Sequence, residues 1–208
     1  SVKIRVVGMD EIAIKKGHRD FATVIVDLER VEIIDILDYR DQKKLIEYFK
    51  NRGAGWREGI EVFCSDMWQG FLNTAKAVFP NATLVVDRFH FFSHLNKALD
   101  NQRKNLRRQF KDQDDFKRLK WVLLKNAEDL TADQKKKLAR AFLRSPQLKL
   151  IYEHKESFRS IFNRRLSRER GKIELNQWME NAKQMQNKHL NKFLYMLNDW
   201  QEYVLNYF

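Results

Sequence analysis

Two aspartates stand where they could hold metal ions for phosphodiester chemistry. Asp10, in Gly8-Met9-Asp10-Glu11, and Asp66, in Cys64-Ser65-Asp66-Met67, each come directly after a predicted β-strand. If those strands are neighbours in a sheet, the two carboxylates lie close together, and divalent metal relieves their repulsion. Two ions roughly 3.5–4 Å apart clamp the attacking and leaving oxygens of a phosphodiester. The pair therefore predicts a two-metal Mg²⁺ or Mn²⁺ site, with simple capping of the following segment as the alternative.

A second group of polar residues could contact nucleic acid or assist proton transfer. The segment Asp87-Arg88-Phe89-His90 closes another predicted strand, so Arg88 could meet a phosphate and His90 could contact DNA or move a proton. A half-buried histidine beside phenylalanines is the alternative for His90. Further candidate phosphate contacts, which could equally be solvated surface, are Lys15, Lys16, Arg103, Lys104, Arg107 and Arg108.

The elements that must position these residues follow from apolar runs and from glycine and proline punctuation. Strands are predicted at 3–7, 21–28, 31–37, 60–64 and 82–87. Helices are predicted from Asp41, over 68–78 and over about 89–110. The order β-β-β-α-β-α-β-α, with three antiparallel strands first, is that of a ribonuclease-H-like mixed sheet in the α/β class. In that arrangement the first and fourth strands are neighbours, and we assign residues 1–112 to this core.

Residues 113–208 are predicted to form an all-helical insertion, with helices at about 114–126, 132–144, 147–163, 172–186 and 189–207. This part carries 20 of the 40 Lys and Arg residues but only 12 of the 28 Asp and Glu residues. The formal net charge of the chain is +12. Such an excess of cations favours a polyanionic partner, and nucleic acid is the predicted one.

Composition excludes several classes of protein. With 43% hydrophobic residues over 208 positions, the chain can bury a core, and no run approaches the roughly 18 apolar residues of a membrane span. The single cysteine, Cys64, excludes an internal disulfide and a cysteine-based zinc site, and it fits a reducing cytosol. Because the sequence begins with Ser1 on a predicted strand, we expect it to be a piece of a longer protein.

Four motifs, in order along the chain, resemble a known family. They are Gly-Met-Asp-Glu-Ile-Ala-Ile-Lys-Lys-Gly-His (8–18), Ala-Thr-Val-Ile-Val-Asp-Leu-Glu (22–29), Phe-Pro-Asn-Ala (79–82) and Val-Asp-Arg-Phe-His (86–90). They are similar to the DDE transposases of bacterial insertion sequences, specifically the ISL-three family. The similarity is dense over 8–110 and is a helical pattern only over 113–208.

The resemblance implies a ribonuclease-H-like core that uses Mg²⁺ or Mn²⁺ to cut and rejoin DNA at element ends, in the bacterial cytoplasm beside the nucleoid. Asp10 and Asp66 would match the first and second catalytic acids. Family members carry the third acid in a motif like Thr-Asn-Gly-x-x-Glu-Gly-x-Asn-Asn, soon after a helix ending in Tyr-Phe. Because this chain ends in Asn206-Tyr207-Phe208, we expect that acid to be missing. The DNA-recognition regions that family members carry before the core would also be missing, and we expect the piece alone to be inactive. Glu174 is the rival third acid.

Two other readings stay open. A ribonuclease-H-like nuclease or resolvase would hydrolyse DNA without joining it, and its further acids would be Glu11, Asp87 or Glu174. A non-catalytic DNA-binding or oligomerisation module would use the acids structurally, and a homo-oligomer is compatible with every reading. Strand-transfer products would distinguish a transposase from a nuclease or resolvase, and metal binding would distinguish it from a non-catalytic module.

Overall fold

A computed structural model describes residues 3–13, 21–109 and 119–208. Its five strands are β1 (Val6–Ala13), β2 (Phe21–Asp27), β3 (Glu32–Leu37), β4 (Val62–Ser65) and β5 (Thr83–Val86). The helices between and after them are α1 (Gln42–Lys50), α2 (Ala54–Glu58), α3 (Gln69–Val78) and α4 (Arg88–Gln109). The remaining helices are α5 (Lys120–Leu124), α6 (Ala132–Arg144), α7 (Pro146–Asn163), α8 (Arg168–Gln184) and α9 (Lys188–Leu205), with a 3₁₀ turn at Ala127–Asp129.

The strands form one mixed sheet in the order β3-β2-β1-β4-β5. The first three are antiparallel, as the predicted meander requires, whereas β1 pairs with β4 and β4 with β5 in parallel. The first and fourth strands are therefore neighbours, and the chain has the predicted α/β class. Phe49, Phe63 and Phe71 are among the buried side chains that pack helices against this sheet.

The prediction was wrong about where the first strand ends. Gly8 does not terminate it, and β1 continues to Ala13, so Asp10 lies within the strand and pairs with Val24 of β2. Gly8 is needed there for packing, since a Cβ at this position would lie 2.7 Å from Cγ2 of Val26. The short helix α2 was also not predicted, because five residues give too little apolar periodicity to read.

The chain divides into two compact units. The first comprises residues 1–90 and 202–207, and the second comprises residues 91–201 and Phe208. The predicted boundary between residues 112 and 113 falls in a stretch outside the described residues and stays a prediction. No helix in the described ranges is long and apolar enough to cross a membrane.

The second unit is helical, as predicted, and local signals fix its helix ends. Thr131 and Gln134 form a capping box at the start of α6, and Ser145 caps α7 with Pro146 in its first turn. Helix α8 begins at Arg168, four residues before the predicted start, because Ser167 accepts a hydrogen bond from the Arg170 amide.

Candidate active site

Strand register places three aspartates in a row at one edge of the sheet. Met9 of β1 is paired with Ser65 of β4, and Ser65 is paired with Val86 of β5. The residue that follows each of these three along the chain is an aspartate: Asp10 within β1, Asp66 directly after β4 and Asp87 directly after β5. Adjacent strands are about 4.8 Å apart, and the charge of Asp10 acts on the carboxyl group of Asp66. The prediction that the first and fourth strands are neighbours is confirmed, and this places Asp10 and Asp66 at matching positions, with Asp87 at the same level after β5.

This arrangement disfavours the ionised form of the Asp66 carboxyl group. Burial raises the pKa of its carboxyl group, and the negative charge of Asp10 raises it further. The Trp68 amide, which donates to Asp66 Oδ1 at 3.1 Å, opposes the shift. His90 and Arg40 also lower the pKa of Asp66 through their charges. A carboxylate that is half-buried and repelled by a neighbour is a group that a cation would stabilise.

The negative charges at this edge of the sheet also act on the thiol of Cys64. Burial, together with the carboxylates of Asp87 and Asp10, raises the pKa of Cys64 to about 12. The thiol is therefore protonated at neutral pH. Because Mg²⁺ and Mn²⁺ prefer oxygen ligands to sulfur, Cys64 is unsuited to hold either ion here.

His90 lies between two of the three carboxylates. Its Nε2 is 3.8 Å from Asp10 Oδ1 and 3.8 Å from Asp87 Oδ2. Asp87 also caps α4, since its Oδ1 accepts from the Phe89 amide at 2.9 Å, and this holds the first turn of the helix, with His90, at the sheet edge. The position suits a group that holds or moves a proton beside the acids.

Arg40 is a candidate that the sequence did not reveal. Its guanidinium forms an ion pair with Glu11 and lies 4.3 Å from the ring centroid of Trp68. Asp10 precedes Glu11 on β1, and Trp68 follows Asp66 by two residues. Arg40 therefore brings one positive charge to the carboxylates from the loop after β3.

The predicted phosphate contacts have different surroundings. Lys104, Arg107 and Arg108 are exposed on α4. The Arg88 guanidinium donates to the Tyr207 hydroxyl at 3.3 Å. Lys15 and Lys16 lie outside the described residues.

Arg103 departs from its prediction as a DNA contact. Its side chain is buried and bound to Asp100, with Nη2 2.7 Å from Asp100 Oδ1. Helical period explains this, because Arg103 follows Leu99 by four residues and precedes Leu106 by three, which places it on the buried stripe.

Glu174, the rival third acid, is held by arginines. It forms ion pairs with Arg164 and with Arg170, whose Nε is 3.0 Å from Glu174 Oε1. The hydrogen bond from Arg164 lowers the pKa of Glu174, and Arg170 adds to the effect. A metal would have to compete with two guanidinium groups for this carboxylate, which lies in the second unit.

The donor chemistry at the sheet edge fits a hard divalent ion. Asp10 and Asp66 offer carboxylate oxygens, which Mg²⁺ and Mn²⁺ prefer. Within 3–13, 21–109 and 119–208, no group of three or more His, Cys, Asp or Glu side chains is arranged to hold a metal ion. A pair is nevertheless sufficient for Mg²⁺, which is commonly bound through one or two carboxylates together with substrate phosphates and water.

We expect Asp66→Asn to stabilise the protein in the absence of metal, by on the order of 1 kcal/mol. The amide keeps the acceptor for the Trp68 N–H and removes a half-buried charge that Asp10 repels. Thermal unfolding at pH 7 with EDTA measures the change. The raised pKa means that the folded state keeps this proton to higher pH, so wild-type stability falls as pH rises from 3.8 through that pKa. The variant lacks this dependence.

Asp38→Asn is the matched control, because Asp38 is exposed on the same unit. Its effect should stay within about 0.5 kcal/mol. Destabilisation by Asp66→Asn equal to that of a lost cap would show that Asp66 is structural.

Comparison with known proteins identifies the family of this chain. A family model described as a transposase, that of the ISL-three family, matches residues 7–208. The transposase for insertion sequence element IS1001 of Bordetella parapertussis is 26% identical over 209 residues, covering 98% of this chain and 51% of the relative. The transposase for insertion sequence element IS1557 of Mycobacterium tuberculosis is 28% identical over 204 residues, covering 85% of this chain and 45% of the relative. This chain thus spans about half the length of the curated relatives it matches, and it belongs to the ISL-three family of insertion-sequence transposases.

Proposed function

We propose that this chain carries metal-binding residues of the centre with which a DDE-type transposase cuts and joins DNA, on a ribonuclease-H-like core. The observation that carries the proposal is that Asp10 in β1 and Asp66, directly after β4, stand at matching positions of neighbouring parallel strands, where the charge of Asp10 raises the pKa of Asp66. The ISL-three family membership supports DNA as the substrate.

Asp10 and Asp66 would hold Mg²⁺ or Mn²⁺ through their carboxylate oxygens. When bound, the ion would stabilise the negative charge that develops on the phosphodiester oxygens. His90, between Asp10 and Asp87, can hold a proton close to the attacking or leaving oxygen. Arg40 partly balances the charge of the acids before substrate arrives. Since two protein carboxylates leave most ligand positions to water and DNA, metal binding without DNA should be weak.

Mn²⁺ titration by calorimetry tests the metal assignment. We expect weak binding to the wild-type chain and no detectable binding to the double variant Asp10→Asn, Asp66→Asn, because both carboxylates belong to one site. Asp38→Asn, Glu58→Gln is the matched control, since it removes the same charge from exposed positions of the same unit. It should titrate like the wild type.

The possible results separate the candidate functions. Identical titrations of the wild type and the Asp10, Asp66 variant would overturn the metal site and favour a non-catalytic DNA-binding module. If the site is confirmed, the products made by a chain extended to the length of its relatives would decide further. DNA joined to a target duplex would favour a transposase, and hydrolysis alone would favour a nuclease or resolvase.

A further inference from the structure

A basic pocket opens between α4 and α9 in the second unit, and nothing in the proposed chemistry uses it. It encloses about 460 Å³. Its main polar lining residues are Lys97, Lys104, Asn105 and Arg108 of α4 and His189 and Lys192 of α9. We call it the α4–α9 pocket. Its volume lies within the range of ligand-binding clefts, and its chemistry is that of an anion site.

The cations of the pocket follow one face of α4. Lys97, Lys104 and Arg108 are spaced at i, i+7 and i+11, which places them on one stripe of the helix. The stripe is about 16 Å long at 1.5 Å per residue. That length matches the axial rise of roughly five nucleotides on one DNA strand. Such a row suits a chain of phosphates better than a single phosphate group.

The charge of this face is only partly neutralised. Asp100 contacts Lys104, with Oδ2 3.1 Å from Nζ, but the same carboxylate is also bound by Arg103. Lys97, Arg108 and Lys192 are exposed around the opening. The lining therefore has a net positive potential that would attract a polyanion.

Buried hydrogen bonds fix the two walls of the pocket. The Asn187 side chain caps α9, since its Oδ1 accepts from the His189 amide at 3.0 Å and the Leu190 amide at 3.1 Å. Its Nδ2 donates to Gln102 Oε1 of α4 at 3.0 Å. Asn105 Nδ2 and His189 Nε2 are 2.9 Å apart and join the walls a second time.

These hydrogen bonds also hold the side chains of the pocket in defined positions. Burial, with the charges of Lys188 and Lys192, lowers the pKa of His189, so its neutral ring can accept from Asn105. A lining whose backbone is already fixed binds a ligand with less loss of conformational entropy.

We propose that the α4–α9 pocket binds successive phosphates of one DNA strand. The inference rests on the proposed function in taking DNA as the substrate, and it involves none of the carboxylates at the sheet edge. A free phosphate ion or a nucleotide carries the same phosphate group as DNA and is the competing ligand. The length of the cationic row favours the polymer.

The test is DNA affinity as a function of salt, measured by fluorescence anisotropy with a labelled duplex in metal-free buffer. The pocket variant is Lys97→Gln, Lys104→Gln, Arg108→Gln, Lys192→Gln. The matched control is Lys135→Gln, Lys136→Gln, Arg140→Gln, Lys172→Gln, which removes the same charge from exposed positions of the second unit. Circular dichroism checks that both variants fold.

We expect the pocket variant to bind about 10- to 100-fold more weakly near 100 mM salt, with its salt slope smaller by about 3 to 4. The control should change the slope by less than about 1. Should the quadruple variant fail to fold, Lys104→Gln, Arg108→Gln should lower the slope by about 2. Equal losses in the pocket and control variants would overturn the proposal, because net charge alone would then explain the binding.

Two further arms separate the sources and the two proposals. Titration with inorganic phosphate, followed through the His189 imidazole NMR signals, would overturn the DNA assignment if phosphate binds while the pocket variant keeps full DNA affinity. The Asp10→Asn, Asp66→Asn variant should bind DNA at least as tightly as the wild type in metal-free buffer, because it removes two negative charges, and the pocket variant should keep its Mn²⁺ titration. Failure of the metal site and failure of the pocket therefore give different results.

Discussion

Phe158→Ala should lower the free energy of unfolding of the second unit by about 3–5 kcal/mol. The Phe158 ring is fully buried on α7, and its centroid is 4.7 Å from that of Trp178 on α8 and 5.5 Å from that of Phe193 on α9. It also packs against Phe91 and Phe162. Truncation therefore opens a cavity where α7, α8 and α9 meet the part of α4 that belongs to the second unit. Urea unfolding followed by tryptophan fluorescence measures the loss.

Tyr195→Ala provides the control for Phe158, since Tyr195 is 75% exposed on α9. Its effect should be below about 0.5 kcal/mol. A Phe158→Ala protein that unfolds at the wild-type urea concentration would contradict the aromatic core of the second unit.

Lys155→Met should destabilise the same unit by about 3 kcal/mol. The Lys155 side chain is 2% exposed, and its Nζ donates to the carbonyls of Leu123 at 2.9 Å and Lys125 at 2.7 Å. Its Nζ is also 2.7 Å from Glu156 Oε1. Methionine conserves the volume but leaves two carbonyls at the end of α5 without this donor. Arg159 still pairs with Glu156, which keeps the cost at the lower end of that for a broken buried pair.

The pH dependence of stability gives Lys155 a second signature. Burial lowers its pKa from 10.5, so the unfolded chain holds this proton to higher pH than the folded protein does. Stability therefore gains a contribution as pH rises through the window below 10.5, and Lys155→Met should lose that gain. Lys149→Met, at an exposed pair with Glu153, should alter neither quantity. Equal behaviour of the two variants would contradict the buried role of Lys155.

Sequence reasoning succeeded where one strong local signal fixed an element. The β-branched run of β2, the Asp41 cap of α1 and the Pro146 start of α7 each determine a boundary without help from distant residues. Strand order then predicted that β1 and β4 are neighbours, which is why the sequence alone could pair Asp10 with Asp66.

The parts that sequence reasoning missed depend on long-range packing. Gly8 reads as a turn until β2 is in place beside it, and only then does the close approach of Val26 explain the missing side chain. Arg40 reaches the acids through Glu11 and Trp68, which are far from it in sequence. For Arg103 the signal was present: the spacing from Leu99 to Leu106 marks the buried stripe, and a count of charges alone overlooked it.

The outer edge of β5 accepts a hydrogen bond from a residue that is synthesised much later. The amides of Asp87 and Thr83 donate to the carbonyls of Ser65 in β4 and of Glu61 just before it, so the carbonyl of Leu84 faces away from the sheet. Asn206 Nδ2 donates to that carbonyl at 2.8 Å, across 122 positions of sequence. At typical rates of synthesis, about 6 to 24 s separate the emergence of the two residues from the ribosome. During that interval the outer edge of β5 lacks this hydrogen bond, and an unprotected strand edge can pair with a wrong strand. A chaperone would have to protect the edge until the helical half has been synthesised.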